Sequence, residues 1–177
     1  MAGRALPSPR PLHRLDALGR AAFPSGATAL LMALAVLAIG LPGAVPAAAL
    51  PCVFFWSVFR PAAMPPLAVF GLGLLQDLLG LAPPGTGVLA LLLAHGLAVC
   101  WRGALARQSF LLVWLAFCGF AAGVTALGWT LQAALTLRLP APEPGLVQLA
   151  LAAGLYPGLA WLLTRAHEAM RRAEAAP

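Results

Sequence analysis

The chain has 177 residues, of which 62% are hydrophobic and 9% charged, with a formal net charge of +6. A typical soluble domain carries about 25% charged residues, and a soluble protein of this size could not hide so much apolar surface behind its own exterior. A nucleic-acid surface is excluded too: it needs its basic residues gathered on one face, whereas here they sit at the ends of long uncharged runs.

In chain order, residues 1–26 form an Arg- and Pro-rich segment expected to stay mostly disordered as a cytoplasmic tail. Residues 27–166 are expected to form one all-α membrane domain of about six transmembrane helices, followed by a short polar tail over 167–177. A membrane-spanning helix needs about 20 apolar residues. The run from Ala21 to Phe59 has no charge and is long enough for two spans. Their break is expected at Leu41-Pro42-Gly43-Ala44-Val45-Pro46, because Pro and Gly punctuate helices. The run from Pro61 to Trp101 is interrupted only by Asp77 and His95, and it divides at Ala82-Pro83-Pro84-Gly85-Thr86-Gly87 into a third and a fourth span. Gln108 to Leu137 is the fifth span, and Gly145 to Thr164 the sixth, with a kink expected at Pro157. The arginine-bearing start and Ala47-Ala48-Ala49 superficially resemble a cleaved signal peptide, but the charged leader is long for one and no soluble domain follows.

Orientation follows from the arginines, since cytoplasmic loops carry the positive charge. With the N-terminus inside, the cytoplasmic segments hold ten of the eleven: Arg4, Arg10, Arg14, Arg20, Arg60, Arg102, Arg107, Arg165, Arg171 and Arg172. The other side holds Arg138 alone, so both termini are expected in the cytoplasm. Trp56, Trp101 and Trp161 each precede a cytoplasmic Arg by four residues or fewer, where an interfacial aromatic belt would place them.

Motifs of chemistry are sparse. There is no phosphate loop with its Lys, no His-Glu-x-x-His, no Cys-x-x-Cys and no Gly-x-Ser-x-Gly. Cys52, Cys100 and Cys118 are scattered in apolar sequence and read as buried thiols behaving as small hydrophobes. No catalytic residue, cofactor or metal is expected. Asp77 is the single carboxylate within a span, where insertion costs about 2.5–3.5 kcal/mol at the helix centre. Gly73, Gln76, Asp77 and Gly80 share one stripe of the third span, at spacings of three, four and seven. Two readings of Asp77 stand side by side. It accepts hydrogen bonds from the free N–H groups where the fourth span begins, near Gly85 to Gly87, or it serves a partner. His95, alone on an apolar helix, is expected to be a packed structural histidine, its depth too different from that of Asp77 for a catalytic dyad. Gly119-x-x-x-Gly123 on the fifth span matches the close-packing motif of membrane helices, with packing inside the chain as its expected use. Arg60-Pro61 is expected to form a cytoplasmic turn.

Phe55-Trp56-Ser57-Val58-Phe59-Arg60-Pro61, then Pro65-Pro66, then Gly71-Leu72-Gly73-Leu74-Leu75-Gln76-Asp77-Leu78-Leu79-Gly80, resembles the core of the rod shape-determining MreD family. In that family an aromatic-rich second span ends at a similar Arg/Pro turn, and a Gly-Leu-Leu-x-Asp motif follows on the third. Members often read something like Leu-Gly-Leu-Asn after the next turn, where this chain has Pro84-Gly85-Thr86-Gly87. The specific motif covers about a quarter of the chain, from Phe54 to His95, while length, span number and orientation are similar throughout. The resemblance implies a six-helix fold similar to the substrate-binding subunits of energy-coupling-factor vitamin transporters. It also implies a non-enzymatic role in the inner-membrane machinery of bacterial cell elongation, with an MreC-like partner and, through it, MreB, the RodA glycosyltransferase and a class B penicillin-binding transpeptidase. Trp56, Arg60, Pro61, Gly73, Gln76, Asp77 and Gly80 are then the candidate packing or partner-contact residues. The rival reading is a vitamin or ion transporter subunit, for which Ala29-x-x-x-Ala33 on the first span matches a coupling motif. Such a protein would converge polar groups on a cavity.

Overall fold

The computed structural model describes residues 11–39, 44–80 and 84–175, and these are helical apart from short connections. The helices are α1 (Pro11–Ile39), α2 (Ala44–Phe59), α3 (Pro66–Gly80), α4 (Thr86–Leu105), α5 (Phe110–Thr136) and α6 (Glu143–Ala175), with a 3-10 turn at Pro61–Ala63 before α3. Three of them, α4, α5 and the Glu143–Ala169 part of α6, are long and apolar enough to cross a membrane; the apolar parts of α1, α2 and α3 are shorter.

The centre of the bundle is α2. Every side chain from Ala47 to Val58 is buried, and α1, α4 and α6 pack around it. Its composition explains this: Ala47, Ala48 and Ala49 let neighbouring backbones approach closely, and Phe54, Phe55 and Trp56 fill the wider space further along. Phe54 meets Phe117 of α5 at 5.4 Å and Tyr156 of α6 at 6.1 Å, and Phe117 and Tyr156 stack at 4.3 Å between centroids. Such contacts are worth about 0.5–1.5 kcal/mol each beyond area burial. A 16-residue helix is about 24 Å long at 1.5 Å per residue, less than the ~30 Å of a hydrocarbon core. Enclosure makes that shortness harmless, because irregular backbone at its ends can be buried in protein.

The outer face of α3 inverts the soluble pattern. Leu67, Phe70, Leu74 and Leu78 are exposed, while Gln76 and Asp77 are buried. Leu111, Leu112 and Leu115 of α5 and Leu93 and Leu97 of α4 are exposed as well. An apolar exterior around buried polar groups is stable against hydrocarbon and unstable against water.

Several sequence expectations change. Helix α1 begins at Pro11, well inside the segment expected to be disordered; Pro is well placed at the first helical position, and no Gly or Pro interrupts the chain from Leu12 to Leu18. Residues 1–10 lie outside the described residues, as do Leu41 to Gly43 of the expected first break, while Ala44 to Pro46 form the first turn of α2. Helix α6 runs on to Ala175 through most of the expected polar tail, where Arg172 pairs with Glu168 at 3.8 Å, one turn apart. Trp56 is fully buried and so is no belt residue, unlike Trp101 and Trp161, which are 60% and 63% exposed. Trp161 carries the Arg165 guanidinium over its ring at 5.3 Å. Cys100 is exposed and Cys118 half-buried, so only Cys52 is a fully buried thiol. Pro157 lies inside α6 without ending it. It has no N–H to bond the carbonyl four residues back, and the Trp114 indole of α5 donates to that Ala153 carbonyl at 3.0 Å instead.

Candidate functional site: the α2–α3–α4 joint

The stretch that carries the motif folds into one joint. At the end of α2, Arg60 N–H donates to the Trp56 carbonyl at 2.8 Å, and Pro61 starts the 3-10 turn, which closes when Ala63 N–H donates to Arg60 and Met64 N–H to Pro61. Met64 is buried beneath the turn. Pro65 accepts from Ala68 and Val69 and so opens α3. Arg60 and Pro61 are half-buried at this corner. Trp56 packs edge-on against Phe55 at 5.4 Å and against His167 of α6 at 6.3 Å. Its indole nitrogen has no hydrogen-bond partner among the described residues.

Helices α3 and α4 then meet along the predicted stripe. A Cβ on Gly73 would fall 2.5 Å from the Val88 backbone of α4, so this position admits only glycine without moving a helix. Gly87 faces back in the same way: a Cβ there would lie 2.5 Å from Asp77 Oδ1 and 2.8 Å from Gln76 Nε2. Glycine thus appears on both sides of the contact, which is how membrane helices bring backbones together. Gln76 is buried against α4, with its Oε1 lacking a partner among the described residues. Gly80, the last residue of α3, is half-buried.

Asp77 caps α4 from the neighbouring helix. Its Oδ2 accepts from Gly85 N–H and its Oδ1 from Gly87 N–H, both at 2.7 Å. Gly85 occupies the N-cap position of α4 with φ +96°, a left-handed conformation that favours glycine, and glycine has no side chain with which to cap. The first N–H groups of a helix need an acceptor; Asp77 supplies it and also places a negative charge at the positive end of the helix dipole. These are the hydrogen bonds of the first of the two readings that the sequence left open for Asp77. The Pro84-Gly85-Thr86-Gly87 turn contributes the donors.

His95 has a different partner. Ser57 of α2 lies 2.7 Å from His95 Nδ1 and 2.6 Å from the Val53 carbonyl. The hydroxyl has one proton, and the carbonyl can only accept it, so Ser57 donates to Val53 and His95 Nδ1–H donates to Ser57. Ser57 is fully buried and His95 7% exposed. Asp77 and His95 are therefore committed separately, to α4 and to α2. Ser57 was missed in the sequence, although it is a lone hydroxyl in an apolar helix. Trp114 was missed as well; its signal was Pro157, which frees a carbonyl one turn earlier.

Gly119 and Gly123 correct an expectation. Among the described residues they pack against no neighbouring helix: a Cβ at either would meet no atom within 4 Å. They line an open groove of about 590 Å3 between α4 and α5, walled only by apolar residues and glycine. Neighbouring helices in the bundle leave these positions uncovered because α5 packs on α6 through its opposite side, at Phe117 and Trp114. Among the described residues no group of three His, Cys, Asp or Glu side chains is placed to hold a metal ion. Compared with known proteins, the chain matches no family model, no curated protein and no solved structure.

Proposed function

We propose that this chain is a non-enzymatic, six-span component of a bacterial cell-elongation complex in the inner membrane, acting by binding an MreC-like partner. The observation that carries the reading is the cross-helix cap. The residues that carry the resemblance, from the Arg60-Pro61 turn through Gly73 to Asp77, are spent on fixing α2, α3 and α4 against one another. Asp77, the costliest residue in the span, has both oxygens bonded to backbone N–H groups. A shape-defining role of this kind suits a protein whose function is to present surfaces to MreC and, with it, to MreB, the RodA glycosyltransferase and a class B penicillin-binding transpeptidase.

The arginine distribution supports cytoplasmic termini. Arg60, Arg102 and Arg107 fall at or just beyond the ends of α2 and α4, and Arg165, Arg171 and Arg172 lie in the last third of α6. The contact between Trp56 and His167 puts the end of α2 beside the last third of α6.

Depletion in a rod-shaped host tests the reading. Round, swollen cells with misplaced side-wall synthesis are the expected result, together with loss of an MreC-like protein from the purified complex. Cells that keep their rod shape while losing uptake of one vitamin or ion would replace this reading with the transporter one.

A further inference from the structure

Between Gly154 and Gly158, α6 holds the two residue types least favourable in a helix interior, glycine twice and proline at Pro157. Packing does not call for them. All three are exposed, and a Cβ at either glycine would meet no atom within 4 Å among the described residues. Close approach of another helix therefore explains Gly73 but not this pair. What the segment supplies is a weak point in an otherwise continuous helix of 33 residues, and prolines and glycines are where helices bend.

The two limbs that meet there are held differently. The first, residues 143–156, is fastened to α5. Trp129 donates to the Pro140 carbonyl just before it, Tyr156 stacks on Phe117 at 4.3 Å, and Trp114 donates to Ala153. The second limb, residues 158–175, has Ala160 and Leu163 as its buried residues among those described. It leans on the end of α2 through the Trp56–His167 contact at 6.3 Å. Segments with few buried contacts open at the least cost in free energy.

One indole stands on each side of this hinge. Trp114 satisfies the carbonyl that Pro157 deprives of its helical donor. Trp56 is in the opposite condition: it is fully buried, and its indole N–H lacks an acceptor among the described residues. A buried donor left unmade is an exception that calls for a reason, and this one lies against the weakly held limb.

We propose that α6 is a hinged arm with two positions. In the position of this structure Trp114 holds the Ala153 carbonyl, which fixes the bend at Pro157, and the Trp56 indole goes without a partner. In the other position the bend changes, the Trp114 bond opens, and the second limb stands off from α2 far enough for water to reach the Trp56 indole. Each position makes one indole hydrogen bond and leaves one group unmade, so the two are close in free energy. A change of about 20° at Pro157 displaces Ala169, twelve residues further on, by about 6 Å. Arg165, Arg171 and Arg172 travel with the limb, so the hinge sets where these charges stand relative to the Arg60 corner. The inference rests on helix packing and not on a role in cell elongation, so each can fail without the other.

The test is pulsed dipolar spectroscopy on the full chain in lipid nanodiscs. Spin labels sit on Gln108→Cys and Ala169→Cys, both exposed positions, in a cysteine-free background. Two distances about 6 Å apart are expected. Trp114→Phe should raise the population of the second position about fivefold, and Trp56→Phe, the same exchange of side chains, should lower it by a similar factor. A fivefold shift is about 1 kcal/mol at about 1.4 kcal/mol per decade. Pro157→Ala with Gly158→Ala should leave one narrow distance. A single distance that persists in Trp114→Phe would overturn the proposal. So would Trp114→Phe and Trp56→Phe moving the populations in the same direction, since loosened packing would then account for both. Should Trp56→Phe fail to fold, the other two proteins decide: Trp114→Phe must enlarge the second distance and Pro157→Ala with Gly158→Ala must remove one of the two.

Discussion

Replacing Asp77 separates the two kinds of role a buried carboxylate can have. On sequence grounds Asn looks close to neutral, because it keeps the volume and an acceptor oxygen. The geometry revises that expectation: Asp77 uses both oxygens at 2.7 Å, one on Gly85 N–H and one on Gly87 N–H. Asn keeps one acceptor and turns an NH2 group toward the other N–H, while Leu removes both acceptors. A buried donor left without a partner costs about 1–3 kcal/mol. The Gly87 bond is buried and should carry the full amount; Gly85 is exposed and can turn to water, so its loss costs less. Asp77→Asn should therefore cost about 1–2 kcal/mol and Asp77→Leu about 2–4 kcal/mol. At roughly 2–4 °C per kcal/mol for a chain of this size, Asp77→Leu should lower the melting temperature by about 5–15 °C. The assay is thermal unfolding in detergent with a thiol-reactive dye, in a background with Cys100→Ser and Cys118→Ser so that the fully buried Cys52 reports opening. The expected order is wild type, Asn, Leu. A wild-type melting temperature for Asp77→Leu would refute the capping argument. So would Asn and Leu proteins that lose function equally at normal stability, because the charge itself would then be what matters.

Gly73→Ala should destabilise strongly, by about 1–3 kcal/mol of overpacking or more, because its Cβ meets Val88 backbone at 2.5 Å; Gly71→Ala, with open space around it, should leave the melting temperature within error. Trp114→Phe should cost about 1 kcal/mol through the lost bond to Ala153. Because Pro157→Ala restores a helical donor to that carbonyl, a double-mutant cycle between positions 114 and 157 should show clear coupling; additivity would mean the indole bond does not compensate for the proline. For topology, single cysteines at Pro84 and Glu143 in a cysteine-free background should react with an impermeant thiol reagent from outside, and cysteines at Gly103 and Ala173 should not. Pro84 is preferable to Gly85, whose φ of +96° penalises any side chain. Labelling at Gly103 from outside would end the six-span reading.

The sequence alone was enough for the helices, because apolar runs broken by Pro and Gly are a local, one-dimensional signal. It divided the run from Pro61 to Trp101 into a third and a fourth helix at the Pro/Gly turn that precedes α4, and the stripe of Gly73, Gln76 and Asp77 pointed at the start of α4. It misjudged the start of the chain, where α1 begins at Pro11, since charge within a segment does not prevent a helix when no breaker interrupts it. What it could not assign was direction around each helix. In a membrane protein apolar residues face lipid and core alike, so hydrophobicity does not distinguish Trp56, enclosed by α2's neighbours, from Trp101, exposed on α4. The same ambiguity covered the glycines: Gly73 and Gly87 meet another backbone or a carboxylate, whereas Gly119 and Gly123 open onto a groove. Pairings such as Ser57 with His95 and Trp114 with Ala153 join residues 38 and 39 positions apart. They depend on which helices are neighbours, and only the packing of the other five with α2 decides that.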